Sequence, residues 1–419
     1  MSLLSNTYQE QRKEFFDQYP FFWANANENE EFALFGYHYI ERSLFDDVKK
    51  ATNALGEVYK KAGSFLRTVS DDVLIQLGVP ANAVNIARHT IEGMGDTVIG
   101  RFDYAITPDN KVKMMEFNAD TPTFIVETFY MNKEICDHLN VYDPNMTEWF
   151  LLSNALYRAI AAGIKYVGKD ANLDEIHVAF SAFGWHQEDR ETMHYLMSNV
   201  MGLAKNIKVS FVSIEDWQVS EDGLFDKDGK KIDVVYRLYP IEYLSEDINE
   251  EGVHIGELLF QLVEQQKLAI INPPSAFLIQ SKAVQAVIWG LRGNRDFFSV
   301  FDHWAIETYM LPTYIDPITD RKYVAKAVLG REGNTVTIID PVLGETINTD
   351  NYDYLDQPTV YQEYVQLPTM VKETEAGTQE LSYMLACFLI GGEASAVGIR
   401  AGGLITNNTS YFIPVTTNP

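Results

Sequence analysis

The sequence predicts a mixed α/β protein whose helical and strand-forming stretches fall into successive blocks. Three observations carry this. Residues up to about 95 are mainly helical in pattern, with apolar residues at helical spacing over 32–69 and again over 81–92. Residues 101–118, RFDYAITPDNKVKMMEFN, are two β-type runs joined by turn residues. From about residue 150, helix and strand patterns alternate, as in βαβ units of a small open sheet. The blocks divide at about 1–95, 96–150, 151–272 and 273–419.

The hairpin is the most informative element. If Thr107 pairs with Val112 across a four-residue loop, Asp103 faces Glu116 and Arg101 faces Asn118. All four side chains then share one sheet face. Directly opposed residues lie roughly 4.5–5.5 Å apart at Cβ, and opposed like charges destabilise a sheet. Asp103 against Glu116 therefore asks for a cation, and two carboxylates with an amide suit a hard ion such as Mg²⁺. The plainer reading is a solvated hairpin with its charges outward.

The sequence Asp120-Thr121-Pro122 follows, where Thr121 fits a helix N-cap and Pro122 the first helical position. Helices are then expected over 149–166, 189–204 and 252–266, and strands over 177–185, 208–214, 234–238 and 268–271. Pro273-Pro274 punctuates the alternation, and a helix follows over 282–291. Strands at 323–329 and 335–339 flank Gly330-Arg331-Glu332-Gly333-Asn334, a flap with bare backbone N–H groups. Another strand covers 359–365. A hairpin over 381–400 turns at Gly391-Gly392-Glu393, and the tail from 415 is expected to fray.

Composition narrows the function. The chain has 419 residues, enough for more than one core, and 59 acidic against 33 basic side chains give a formal charge of −26. Such a field repels nucleic acid and anionic membranes and favours cations. Cys136 and Cys387 have no CxxC partner, so neither a disulfide framework nor a thiolate zinc site is expected. The apolar stretch 149–167 is interrupted by Asn154, Arg158 and Lys165, and no signal-peptide run opens the chain. A soluble cytoplasmic protein is expected, with no nucleic-acid or membrane partner.

No P-loop, GxGxxG, HExxH or G-x-S-x-G is found. The remaining chemistry is distributed. Lys326 lies on a strand that runs into the glycine loop, and Lys282 opens a helix. Gln362-Glu363 could meet an adenine edge, and Arg400 ends a strand where it could meet an anion. Together these describe a nucleotide–Mg²⁺ site built from sheets and a glycine flap.

The blocks RFDYAITPDNKVKMMEFNADTPT, FSAFGWHQED, YRLYPIEYL, YVAKAVLGREGNTVTI, VYQEYVQLP and GIRAGGLIT resemble, in this order, the ligase domain of the glutathionylspermidine synthase family. That family is similar to ATP-grasp carboxylate–amine ligases. Here Glu116-Phe117-Asn118 precedes Lys282 and Lys326, the order of the circularly permuted branch. The resemblance implies an ATP-grasp-like fold with an α/β substrate subdomain at 151–272 and an ATP-binding region at 273–419, its lid at about 312–352. It implies ATP and Mg²⁺, with Asp103, Glu116 and Asn118 as metal ligands. Arg101 matches the arginine that steadies the transferring phosphoryl group. Lys282, Lys326, Gly330, Arg331, Glu332, Gly333 and Gln362 match the nucleotide-binding positions. Thr121, Thr123, Glu188, Asp189 and Arg400 match substrate-facing ones.

The amidase domain of the bifunctional relatives does not precede the ligase here, so no cysteine hydrolase activity is expected. Ala401-Gly402 stand where acidic residues usually follow the arginine, and Leu238 stands where a hydroxyl would face the peptide. The expected activity is amide formation between a small-molecule or peptide carboxylate and an amine, for which a polyamine would suit the acidic balance. Two other readings are a ligase for other peptides, amino acids and amines, and a nucleotide-binding protein without turnover.

Overall fold

The computed structural model describes residues 7–26, 30–349, 351–407 and 410–419. Three sheets organise them. The largest is antiparallel, in the order Tyr411–Ile413, Glu393–Gly402, Gly377–Ile390, Ile99–Ile106, Val112–Asn118, with Thr369–Thr374 also paired to Gly377–Ile390. The second half of its long strand is buried on both faces. Leu385, Cys387 and Leu389 join one apolar core, while Ala386, Phe388 and Ile390 join the other. The first core is closed by the helix Arg42–Leu66, which buries Val48, Leu55, Val58, Tyr59 and Ala62 at helical spacing.

The second sheet is four-stranded and parallel, in the order Ala269–Ile271, Val234–Arg237, Ile176–Ser181, Ile207–Phe211. Its strands are short and apolar, as expected where both faces are covered. The third is a five-stranded antiparallel sheet: Thr313–Tyr314, Thr359–Glu363, Tyr323–Ala327, Val336–Asp340, Glu345–Asn348.

The hairpin has the expected facing pairs, Arg101 with Asn118 and Asp103 with Glu116, although its loop differs. Ile106, not Thr107, pairs with Val112, and Asn110 turns the chain with φ 58°. One extra residue, Met115, is bulged out between the Tyr104–Met114 and Asp103–Glu116 pairs. The loop is one residue longer than expected and the bulge offsets it, so the polar face is the predicted one. On the opposite face Phe102 and Phe117 stack at 3.9 Å, and Tyr59 meets Phe117 edge-on. Gly100 makes room for this, since a Cβ there would come within 2.8 Å of the Phe117 ring.

Several expected boundaries are corrected. The helix expected over 32–69 is Arg42–Leu66, preceded by the short strands Glu30–Glu31 and His38–Tyr39. Over 81–92 there is only a 3₁₀ turn, Ala81–Ala83, and one helical turn, Val84–Ala87. No helix starts at Pro122: residues 121–124 are irregular, Phe124 takes φ 75°, and helix begins at residue 125. The helices expected at 189–204 and 252–266 are Gln187–Ser198 and Ile255–Glu264, and the strands at 177–185 and 208–214 end at Ser181 and Phe211. The tail does not fray. Val415–Thr416 pairs in parallel with His38–Tyr39, and Asn132 brackets Val415, accepting its N–H at 2.7 Å and donating to its carbonyl at 3.2 Å.

One side chain ties the parallel sheet to the hairpin. Asn272, fully buried just after Ala269–Ile271, accepts from the N–H groups of Val98 and Ile99 at 2.8 and 2.9 Å. Its amide donates to the carbonyls of Ile99, Ala119 and Asp120 at 2.8, 3.0 and 2.8 Å. Asn272→Ala leaves these backbone groups unpaired in the interior and is expected to cost about 2–4 kcal/mol of stability, read from the urea midpoint at unchanged m-value.

Candidate active site

The polar face of the hairpin opens into a cleft between the large sheet and the five-stranded sheet. Its floor is an ionic lattice. Arg101 is 4% exposed, and its Nε and one terminal nitrogen each donate to Asp103 at 2.8 Å. Its other terminal nitrogen donates to the Thr123 carbonyl at 2.8 Å, an acceptor that the irregular stretch before residue 125 leaves free of helix bonding. Asn118 donates to Asp103 at 3.1 Å and to Glu116 at 3.4 Å. The two carboxylates thus converge within reach of a single amide.

Lysines close the other side. Lys282 Nζ lies 3.2 Å from Glu116 and donates to the Gly330 carbonyl at 2.7 Å. Lys326 donates to Gln362 at 2.8 Å and to the carbonyl of Met115, the bulged residue, at 3.4 Å. Burial and the Lys282 charge push the Lys326 ammonium down to about 8, against the pull of Glu116. Burial alone would raise the Glu116 carboxyl, but Lys282, Lys326 and Arg101 hold it below the usual range. The cleft therefore sets cationic side chains beside ionised oxygens, an arrangement chemically suited to phosphate and a cation together.

Among the described residues no three His, Cys, Asp or Glu side chains gather around one point. The donor set of Asp103, Glu116 and Asn118 instead fits a hard ion that draws its remaining oxygens from phosphate. Turning the Asn118 amide by half a turn presents its oxygen to such an ion.

The glycine loop lies over the cleft and is docked. Arg331 donates to Glu242 at 2.6 and 3.0 Å and to the Thr121 hydroxyl at 3.2 Å. Tyr243 and Tyr354 share a hydrogen bond of 2.6 Å beside it. Gly333 takes φ 69°, and a Cβ there would fall 2.2 Å from the Thr406 carbonyl. Gly333→Ala adds that clash to about 1–2 kcal/mol of left-handed strain. It is expected to lift residues 330–335 off residues 404–406, visible as faster amide hydrogen exchange in both segments.

Of the residues singled out in the sequence, Arg101, Asp103, Glu116, Asn118, Thr121, Thr123, Lys282, Lys326, Gly330, Arg331, Glu332, Gly333, Gln362 and Arg400 line this one cleft. Gln362 is 2% exposed, and its amide is spent on Lys326 and on Gln285 at 2.7 Å, so it positions the lysine. Arg400 donates to the Asn407 carbonyl at 2.9 Å and lies over the Phe124 ring. Glu188 and Asp189 do not line the cleft. They open the helix Gln187–Ser198, with His186 as its cap. Glu188 is still electrostatically joined to the cleft: burial and Asp189 push its carboxyl up to about 7, while His186 and Arg400 pull it down and the loop's Glu332 adds to the rise.

Sequence reading missed Gln285 and Glu242. Each is a polar residue inside an apolar run (AVQAVIWGL and YPIEYL), and that isolation was the available signal.

Comparison with known proteins points the same way. Residues 4–418 match the family model described as glutathionylspermidine synthase preATP-grasp. A curated Haemophilus influenzae protein named "Putative acid--amine ligase" is 23% identical over 326 residues, which cover 75% of this chain and 73% of that protein. The structure of a glutathione synthetase-like effector from Globodera pallida, in its apo form, superposes with a TM-score of 0.60 at 13% identity, over 100% of this chain and 99% of that one. The fold is thus a mixed α/β architecture of the glutathione synthetase-like, ATP-grasp type. Among the described residues no helix is long and apolar enough to cross a membrane.

Proposed function

This chain belongs to the glutathionylspermidine synthase preATP-grasp family, and we propose that it is an ATP- and Mg²⁺-dependent ligase that joins a carboxylate to an amine through an acyl phosphate, releasing ADP. One observation carries this reading: the carboxylate–amide face of 103, 116 and 118, both lysines, Arg101 and the docked glycine loop all border one cleft.

Asp103, Glu116 and Asn118 would hold Mg²⁺, which when bound neutralises phosphate charge. Lys282 and Lys326 meet the nucleotide's terminal phosphates, and Gln362 and the Met115 carbonyl keep Lys326 aimed at them. The loop 330–335 excludes water. Arg101, fixed by Asp103 and Thr123, faces the transferring phosphoryl group and offsets charge as the substrate carboxylate attacks the γ-phosphorus. The amine then displaces phosphate. Glu332, on the loop, gives the cleft a carboxylate that suits an ammonium.

The test is ADP release from Mg-ATP across a panel of carboxylates and amines, starting with glutathione and spermidine. A carboxylate–amine pair is expected to raise release above the ATP-only rate. If ATP binds and no pair does so, the ligase reading falls.

A further inference from the structure

Both lysines of the cleft connect to one short helix. Lys282 stands at the N-cap of Ala283–Leu291, and Gln285 lies in the first turn of the same helix. Gln285 is buried, and its side-chain oxygen accepts from the Gln362 amide nitrogen at 2.7 Å. The Gln362 oxygen in turn accepts from the Lys326 ammonium at 2.8 Å. Gln362 pairs with Val324 and Lys326 with Val360, so Gln362 and Lys326 are diagonal neighbours on one face of the five-stranded sheet. Two amides thus link the helix to the lysine of the strand Tyr323–Ala327.

The link runs in one sense only. The Gln362 nitrogen faces three acceptors: the Gln285 oxygen at 2.7 Å, and the Met115 carbonyl and the Thr313 hydroxyl oxygen, each at 3.3 Å. The Thr313 hydroxyl donates to the Leu311 carbonyl at 3.0 Å, so toward Gln362 its oxygen accepts. Turned over, the Gln362 amide would set its oxygen against three oxygens and its N–H groups against an ammonium, which has no lone pair. The Gln285 oxygen makes the shortest of the three contacts that prevent this. Both side chains are buried, so solvent does not replace a lost bond.

We propose that Gln285 is a positioning residue: it holds Gln362 in the orientation that aims the Lys326 ammonium at the nucleotide's phosphates, so that one helix places both lysines. The role rests on the ligase reading above. Without the Gln285 oxygen, the Gln362 amide keeps only its two longer contacts and can swing, and the ammonium it anchors swings with it. The other acceptor of Lys326, the Met115 carbonyl at 3.4 Å, is too distant to fix it alone. A displacement of about 1 Å at such a group is costly even when its source lies away from the chemistry.

Gln285→Met keeps the length of the side chain and removes its amide. It is expected to weaken ATP binding by about 10-fold, measured by calorimetry, and to leave binding of AMP, which has no β- or γ-phosphate, unchanged. A double-mutant cycle assigns the loss. In a Lys326→Met background no ammonium remains to be positioned, and Gln285→Met is expected to cost less than about 2-fold there. Gln285→Asn, whose amide ends one methylene short of Gln362, enters the same cycle and decides if Gln285→Met does not fold.

An equal loss of ATP affinity in both backgrounds, an equal loss for ATP and AMP, or no loss at all overturns the role of Gln285 and leaves the ligase reading standing. If Lys326→Met alone leaves ATP binding intact, the phosphate contact assigned to Lys326 falls, and the role of Gln285 falls with it.

Discussion

Replacing Arg101 by alanine is expected to lower amide formation by about 10²–10³-fold while leaving ATP affinity largely unchanged. Arg101 is buried, and all three of its hydrogen bonds go to Asp103 and Thr123, so its guanidinium is held in one place before substrate arrives. Preorganised charge acts where new charge develops, and in the proposed reaction that is the transferring phosphoryl group. In the proposed reaction the ground-state nucleotide is held by Lys282, Lys326 and the loop. Rapid-quench measurement of single-turnover amide formation, with calorimetric ATP binding on the same variant, separates the two. Loss of ATP binding in step with the rate would assign Arg101 to ground-state binding. Arg101→Lys is expected to recover little, because one ammonium cannot bond to both Asp103 oxygens and the Thr123 carbonyl at once.

The second large effect is on stability. Arg237 and Asp120 form a fully buried pair, with contacts of 2.7 and 3.2 Å. Arg237 also donates to the Tyr239 carbonyl at 2.6 Å, and Asp120 accepts the Ile241 N–H at 3.2 Å. Asp120 lies two residues beyond Asn118, and Arg237 ends a strand of the parallel sheet, so the pair joins the hairpin to that sheet. Arg237→Ala leaves a buried carboxylate without its cation and is expected to cost about 3–5 kcal/mol, measured by chemical denaturation. The Asp120→Asn, Arg237→Met double variant should recover much of that loss, since it buries neither charge. A double variant as unstable as Arg237→Ala would show that the pair's backbone contacts, not its charges, carry the stability.

How far the sequence revealed this site follows from the range of the forces involved. The hairpin face was legible because strand alternation is local and opposed like charges need an explanation; even the unseen bulge at Met115 did not move the facing pairs. The bulge itself was not legible. It follows from non-local packing, in which Lys326 and Gln362 both bond the Met115 carbonyl. Thr121-Pro122 carried a valid helix-start signal, but the Thr123 carbonyl is held by Arg101 and Phe124 turns into the left-handed region, so the helix waits until residue 125. The tail looked free because its partners, His38–Tyr39 and Asn132, are far away in the chain. Gln362 was read as facing the nucleotide, and the structure shows it bonded to Lys326 and to Gln285, a residue that no motif marked. The resemblance brought the distributed residues together, and the structure places fourteen of the sixteen on one cleft, with Glu188 and Asp189 beyond it.

Oxygen transfer tests the central claim most directly. The substrate carboxylate is labelled with ¹⁸O and turned over with Mg-ATP and amine, and the released phosphate is weighed by mass spectrometry. An acyl-phosphate path moves one carboxylate oxygen into each phosphate formed, with ADP as the other nucleotide product. Unlabelled phosphate, or label in AMP with pyrophosphate released, would contradict the account.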